Sequence, residues 1–508
     1  MELNITKQTV SINELSFNQN VEQGVDFTVN VPEYCGSIQR ILKYCLNPRI
    51  FSKSINGQIL SVEGNACFSI IYIDESGCVS SYECVTPFSK SIDLGANLDY
   101  LCINVKPRCS YINAKAITSS RVDVNSVIEL SIKVFSKKTT EIISDIDCPD
   151  VFANRGEAPA TIPINCSEKS IIIEDEIALP SDYPSIQSLL RYDSSVSIND
   201  TKIVNDKIIA KGQMDVHALY SAENRKNLFI LDQTLPFSQI IDIDGINENC
   251  SCSVSAEIMS LDIKPKSNYD GEIRCLALCA KLCLTAEASC NNNIAVIFDA
   301  YSSKYDTVSE TNDTVFEKHI NSLSEVFACK KNIEFSEGDV VNIIDIWGSA
   351  ILQGYRTEGN SIILNGCITV CSICENSEGE INYFERPIDF EYKTDCENNL
   401  ENMRFEPLID VVGIKHTASV GGSIEIVAEL SLIVKIFEIK KINILTAFSA
   451  KNEPVKYHND CSVIIYYAER GELTWNIAKR FNASPEDIMS VNSVSSVIPE
   501  NMPLVISC

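Results

Sequence analysis

Alternation of apolar and polar positions dominates the chain. Leu60, Val62, Ala66, Phe68, Ile70 and Tyr72 alternate with Ser61, Glu63, Asn65, Cys67 and Ser69. Period two is the mark of a strand with one buried and one wetter face. The same pattern returns at Ile208, Ala210, Met214, Val216, Ala218 and Tyr220, and again at Ile362, Leu364, Ile368 and Val370. A glycine lies near the start of each run, at Gly64, Gly212 and Gly366. Inside a strand it predicts a bulge or a close approach by a neighbour. Each copy closes on a further alternating strand: Ile128 to Val134, Leu276 to Leu284, and Ile424 to Leu430. Turn signals such as Glu75-Ser-Gly77 and Ser377-Glu-Gly379 separate the strands.

These runs belong to a longer internal repeat. Val31-Pro-Glu-Tyr-Cys-Gly-Ser-Ile-Gln-Arg-Ile-Leu-Lys-Tyr44 returns 148 residues on as Leu179-Pro-Ser-Asp-Tyr-Pro-Ser-Ile-Gln-Ser-Leu-Leu-Arg-Tyr192. Thr86-Pro-Phe-Ser89 returns as Leu235-Pro-Phe-Ser238, and both read as turns. In a third, divergent copy Arg386-Pro387 stands at that place, and the start of the copy, Val340 to Trp347, is degenerate. Ser37 to Tyr44 reads equally as a short helix or as the start of a strand. Strands with turns and few helical runs point to β-sandwich-like units of about 140 residues. The boundaries predicted are 1–145, 146–300 and 301–450.

The period changes after residue 462. Tyr466 to Trp475 reads as a strand followed by a tight turn at Gly471. Trp475, Ile477, Ala478 and Phe481 then fall on one face at helical spacing. Ser484-Pro-Glu-Asp487 reads as the capped start of a second helix carrying Ile488, Met489 and Val491. Leu504-Val-Ile506 is the closing strand. The fold class predicted is thus mainly β: three tandem β-sandwich-like repeats followed by a small βααβ domain at 462–508.

The motifs of the repeats resemble the SPOCS domain family of spore-forming Firmicutes. The strand–turn–helix–helix–strand order at the C-terminus resembles a LysM module, with Gly-Glu-Leu-Thr in place of the family's Gly-Asp-Thr-Leu. Three such domains and a LysM module resemble the architecture of a clostridial spore-coat morphogenesis protein. That resemblance implies a non-enzymatic scaffold in the mother-cell cytoplasm that assembles at the forespore surface. The implied partner is a spore-coat morphogenetic ATPase. By the LysM resemblance, Gly471, Glu472, Leu473 and Thr474 line a groove opposite Ser493, Ile498 and Pro499. Trp475 and Asn492 are expected to hold the fold. The alternative occupant of that groove is an N-acetylglucosamine polymer of peptidoglycan.

Composition narrows the chemistry. The 508 residues carry 42 Lys and Arg against 69 Asp and Glu, a formal net charge of −27. A field of that sign repels nucleic-acid phosphates. No apolar run approaches the ~20 residues that span a bilayer, and the first residues lack the cationic and apolar regions of a signal peptide. No Gly-x-Ser-x-Gly, P-loop or His-Glu-x-x-His motif occurs, and no cofactor is expected. Of the four histidines (His217, His319, His416 and His458) His217 is expected to be solvated beside Asp215.

The 22 cysteines are spread over the length, and a cytosolic location keeps most of them reduced. Cys371-Ser-Ile-Cys374 lacks the second pair a structural zinc site needs. Cys275, Cys279 and Cys283 span roughly 27 Å of strand at about 3.3–3.4 Å per residue, too far to share a metal.

Overall fold

A computed structural model describes residues 4–222, 227–268, 271–335, 340–396, 400–418, 423–454 and 463–507. His458 lies outside them. The first repeat runs β1 (Asn4–Asn30), β2 (Ile38–Asn56), β3 (Ile59–Asp74), β4 (Val79–Asp93), β5 (Tyr100–Ala116) and β6 (Arg121–Asp147). The second runs β7 (Val151–Ala178), β8 (Ser188–Val204), β9 (Lys207–Ser221), β10 (Leu228–Asp242), β11 (Ser251–Ser267) and β12 (Ile273–Ser302). The third runs β13 (Tyr305–Glu334), β14 (Asn342–Glu358), β15 (Ser361–Glu375), β16 (Ile381–Asp395), β17 (Met403–Ala418) and β18 (Ser423–Pro454).

Each repeat makes two three-stranded antiparallel sheets. One is a meander, ordered β2-β3-β4 in the first repeat. The other pairs the first, sixth and fifth strands, ordered β1-β6-β5. The two sheets face each other over one core. In the first repeat Leu60, Val62, Phe68 and Ile70 of β3 meet Val124, Ile128, Leu130 and Ile132 of β6, all almost fully buried. These are the alternating positions of the sequence, so period two places them inward. Ser37–Tyr44 resolves as the start of β2 at Ile38, after a single 3-10 turn at Glu33–Cys35.

The recurrent glycine sits in the central meander strand under an aromatic ring. Gly64 pairs with Phe88, Gly212 with Phe237 and Gly366 with Phe390. A Cβ there would lie 2.4–2.6 Å from the ring tip and 2.5–2.6 Å from a carbonyl oxygen of the other neighbour. That neighbour bulges at this point in all three repeats: the register slips after Ile50, Ile198 and Leu352. The ring fills the space the missing side chain leaves. This corrects the reading of Pro-Phe as a turn. Thr86-Pro-Phe-Ser89 and Leu235-Pro-Phe-Ser238 lie inside β4 and β10. Both strands are edges of their sheets, where proline's missing N–H costs no ladder bond. The third repeat keeps the ring as Phe390 and moves the proline two residues earlier, to Pro387.

The divergent start of the third repeat has a local cause. Fully buried Tyr72 and Tyr220 donate hydrogen bonds to the Cys35 and Pro184 carbonyls at 2.8 and 3.2 Å, holding the segment before each meander. The position 154 residues beyond Tyr220 is Cys374, whose thiol reaches the Asn382 carbonyl instead.

The first and sixth strands of each repeat run on past the sandwich as two-stranded ribbons. Ser144, Phe298 and Thr446 are bulged out at matching places, which switches the inward face. The three ribbons pack on one another. Val10 and Ile142, Ala158 and Ile294, and Phe316 and Ile444 form one cluster drawn from all three repeats. Ile146, Ile297 and Leu445 form a second.

The meanders close a ring as well. β4 meets β8, β10 meets β14, and β16 meets β2, so the third meander strand of each repeat touches the first of the next. Leu42, Ile71, Leu190, Leu219 and Ile373 make the apolar centre of that ring. The repeats are therefore a closed pseudo-threefold body held by head-to-tail contacts. The tandem repeats thus do not run out as an extended platform.

Candidate functional site

The C-terminal module consists of β19 (Val463–Ala468), α1 (Thr474–Phe481), α2 (Pro485–Asn492) and β20 (Met502–Ser507). β19 and β20 pair antiparallel. Ile477, Ala478, Ile488, Leu504 and Ile506 form its core. Ser484 caps α2, its hydroxyl accepting from the Asp487 amide at 3.1 Å.

The turn and the loop singled out in the sequence are stitched together. The Gly471 amide donates to the Ile498 carbonyl, and the Ile498 amide returns a bond to the Glu472 carbonyl, both at 2.9 Å. Gly471 has φ of +90°, a conformation glycine takes without strain. Leu473 bridges Val497. The Thr474 amide donates to the Ser496 carbonyl at 3.0 Å and its hydroxyl to the Ser495 carbonyl at 2.8 Å.

The seven groove candidates divide into two sets. Gly471, Leu473, Ser493 and Pro499 are exposed and Glu472 is half-buried, but Thr474 and Ile498 are 1% exposed. These last two bind the turn to the loop and cannot line an accessible groove. Glu472 is engaged internally, accepting from the Tyr466 hydroxyl at 3.0 Å and the Glu469 amide at 3.0 Å. Ser493 is the left-handed cap of α2, with φ of +53°. Val497, which the sequence reading did not single out, is 44% exposed beside Leu473 at 45%. A second apolar face lies on the outside of the two-stranded sheet. It comprises Val463, Ile465, Tyr467 and Val505, with Tyr467 76% exposed. Strict alternation with the buried Ile464, Tyr466 and Ala468 side puts them there.

Asn492 ties α2 to β20. Its amide donates to the Ile488 and Val505 carbonyls at 2.9 and 2.8 Å, and its oxygen accepts from the Val505 amide at 2.7 Å. Trp475 works across the module boundary. Its indole N–H donates to Asp299 of β12 at 3.0 Å, and its ring meets Tyr301 edge-on at 5.1 Å. Lys479 pairs with Asp299 at 2.7 Å, and the Tyr301 hydroxyl donates to the Ala483 carbonyl at 2.7 Å. The module is thus seated on the ribbon of the second repeat.

His217 is not solvated as expected. Nδ1 lies 2.6 Å from Asp232 and Nε2 3.0 Å from Asp345 of the third repeat. Arg191 also pairs with Asp345, at 2.9 Å, and its guanidinium stacks 3.9 Å above the Trp347 ring. Burial opposes protonation of His217, but the two carboxylates overcome it and raise its pKa to about 9. Asp345 is fully buried; burial opposes its charge, and the bond from His217 with the Arg191 charge overcomes that and holds its pKa below the ordinary value. The cluster clamps the second repeat to the third. Burial lowers the pKa of His319, with Lys435 adding to it, and burial lowers that of His416.

Cys275, Cys279 and Cys283 lie along β12, and among the described residues no group of three or more metal-ligating side chains is placed to hold an ion. Cys250 and Cys290 are joined as a disulfide in the second repeat. A cavity of about 540 Å³ opens where the three repeats meet, with Phe135, Cys102, Ser253, His319 and Phe437 among its walls. Among the described residues no helix is long and apolar enough to cross a membrane.

Residues 37–117 and 185–266 each match the family model described as SipL, SPOCS domain. The two segments span β2 to β5 and β8 to β11, the meander with the fifth strand. No curated protein matches the chain.

Proposed function

From the premise of a SipL-like SPOCS-domain protein, hence a sporulation-related one, we propose that the chain is a non-enzymatic scaffold of the spore envelope. Its C-terminal module, read as LysM-like, docks onto a protein, and the β body links that partner to other coat components. By resemblance the partner is the coat-basement ATPase that assembles around the forespore. The mother-cell cytoplasm is the compartment where the two meet.

The observation that carries this reading is the apolar character of what the module exposes. Leu473 and Val497 form a rim, and Val463, Ile465, Tyr467 and Val505 a face. The polar groups of the turn are spent internally, Glu472 on Tyr466 and Thr474 on Ser495. Sugar recognition draws on outward donors and acceptors, whereas aromatic and aliphatic anchors are the usual centre of a protein interface.

Leu473 offers a clean test because it is the N-cap residue of α1 and its side chain makes no cap bond. Aspartate is a favoured N-cap, so Leu473→Asp keeps the helix start while removing the apolar rim. Pull-downs from sporulating cells should recover the coat ATPase with the wild-type chain and at least tenfold less with Leu473→Asp. Unchanged recovery would sink the docking role of the rim. Titration with chitin oligomers should give no saturable signal; saturation would favour peptidoglycan instead.

A further inference from the structure

We propose that Cys102 and Cys166 are a modification site: a thiol pair that closes to a disulfide and ties the first repeat covalently to the second. Cys102 comes from β5 and Cys166 from β7. Both are free thiols in the structure, and both neighbour Glu287 of β12. One carboxylate brings the two residues together. Cys166 is the register partner of Glu287 in β12, and Glu287 Oε1 accepts from the Cys102 thiol at 3.5 Å.

The backbone on both sides is held. Lys53 of β2 lies 2.6 Å from Glu168 Oε1, two residues past Cys166, and donates to the Ile103 carbonyl, next to Cys102, at 2.6 Å. One ammonium therefore pins both strands that carry the thiols. Disulfide geometry tolerates little backbone travel, and this shared anchor holds the spacing of the two strands. The other cysteine groups differ. Cys275, Cys279 and Cys283 are strung along one strand, Cys371 and Cys374 both belong to β15, and the Cys374 thiol turns to the Asn382 carbonyl.

The chemistry needs an oxidant, and a low-molecular-weight disulfide suffices. Cys102 is 5% exposed and lines the cavity between the repeats, while Cys166 is half-buried. Cys166 as thiolate attacks the small disulfide, forming a mixed disulfide and releasing one small thiolate. Cys102 passes its proton to Glu287, and its sulfur attacks Cys166 Sγ, displacing the second small thiolate. The two protons lost by the protein end on the two small thiols. The protein is oxidised by two electrons and the small disulfide is reduced by two. The neighbouring Cys166, burial and the Glu287 charge all push the Cys102 pKa up, so closure is slow and promoted by base.

The test uses the full-length chain and glutathione disulfide as the probe. Trypsin leaves each cysteine alone on its own peptide, residues 91–108 and 156–169, so a link between them is unambiguous. After oxidation, alkylation and digestion without reductant, mass spectrometry should find these two peptides joined. The rate should be at least tenfold higher at pH 8.5 than at pH 6.5. Cys102→Ser should stop at the mixed disulfide on Cys166, and Glu287→Gln should let that intermediate accumulate. A wild-type chain that stops at the mixed disulfide, or that leaves both thiols alkylated while Cys250–Cys290 stays intact, would overturn the proposal.

Discussion

A methyl group added to Gly212 would lie 2.5 Å from the Ser197 carbonyl oxygen and 2.6 Å from the Phe237 ring. Neither neighbour has room, since one is backbone and the other fills the sandwich. Gly212→Ala should therefore cost roughly 1–3 kcal/mol in urea unfolding. Gly354→Ala, with nothing within 4 Å, should change stability by less than about 0.5 kcal/mol. The glycines were legible in the sequence because a residue without a side chain recurs at one place in three alternating runs. The partners of His217 were not, because Asp345 is 128 residues away in another repeat. The cluster makes a pH prediction. His217 has a folded pKa raised to about 9, so its contribution is full below its ordinary value near 6.5 and is lost as pH rises through about 9. Asp345 is lowered, so its contribution is present above the ordinary carboxylate range and fades in acid. Melting temperature should fall between pH 8 and pH 10 in the wild type, and that alkaline fall should shrink in His217→Gln. An equal fall in both would contradict the assignment.

Elements were read better than their ends. Alternation sustained over β3, β9 and β15 specifies a two-faced strand whatever surrounds it, and those strands form. Pro-Phe was misread as a turn because proline ends most strands; here it stands on an edge, where no partner asks for its N–H. The long ribbons were hidden because the bulges at Ser144, Phe298 and Thr446 shift the phase and break the pattern that marks a strand. In the module the Ser484 cap of α2 and the apolar face of α1 were legible from local sequence. The enclosure of Thr474 and Ile498 was not, because it depends on a turn and a loop pairing across two helices. Two predictions belong here. Asn492→Ala removes two bonds between α2 and β20 and one within α2, and should destabilise the module by about 1–3 kcal/mol in hydrogen exchange. Trp475→Phe keeps an aromatic ring on Tyr301 but loses the Asp299 bond. It should weaken the seating on the second repeat by about 1 kcal/mol, read as faster exchange at residues 299–301, with the module core unchanged.

At the scale of the molecule, the repeat was legible and its closure was not. Offsets near 150 residues announce three copies, but the three joints use different chemistry. Tyr192 bonds Glu83 at 2.8 Å, Arg191 pairs with Asp345, and Arg40 and Lys43 reach Asn382 and Glu385. No single motif marks a joint, so the sequence shows the units without their ring. The ribbons make the ring mutually dependent. Phe316 is 1% exposed in a cluster shared by all three repeats, and Phe316→Ala should cost about 3–5 kcal/mol. Faster hydrogen exchange should follow around residues 142 and 158–160 of the other two repeats; a change confined to β13 would contradict the shared hub. On this body the module presents its apolar rim from one fixed seat, which suits a scaffold that joins partners. The most direct measurement of that role is the position of a fluorescent fusion in sporulating cells. The wild-type chain should form a ring around the forespore, and Leu473→Asp should leave it diffuse in the mother cell. A diffuse wild type, or a ring that Leu473→Asp leaves intact, would contradict docking through the module.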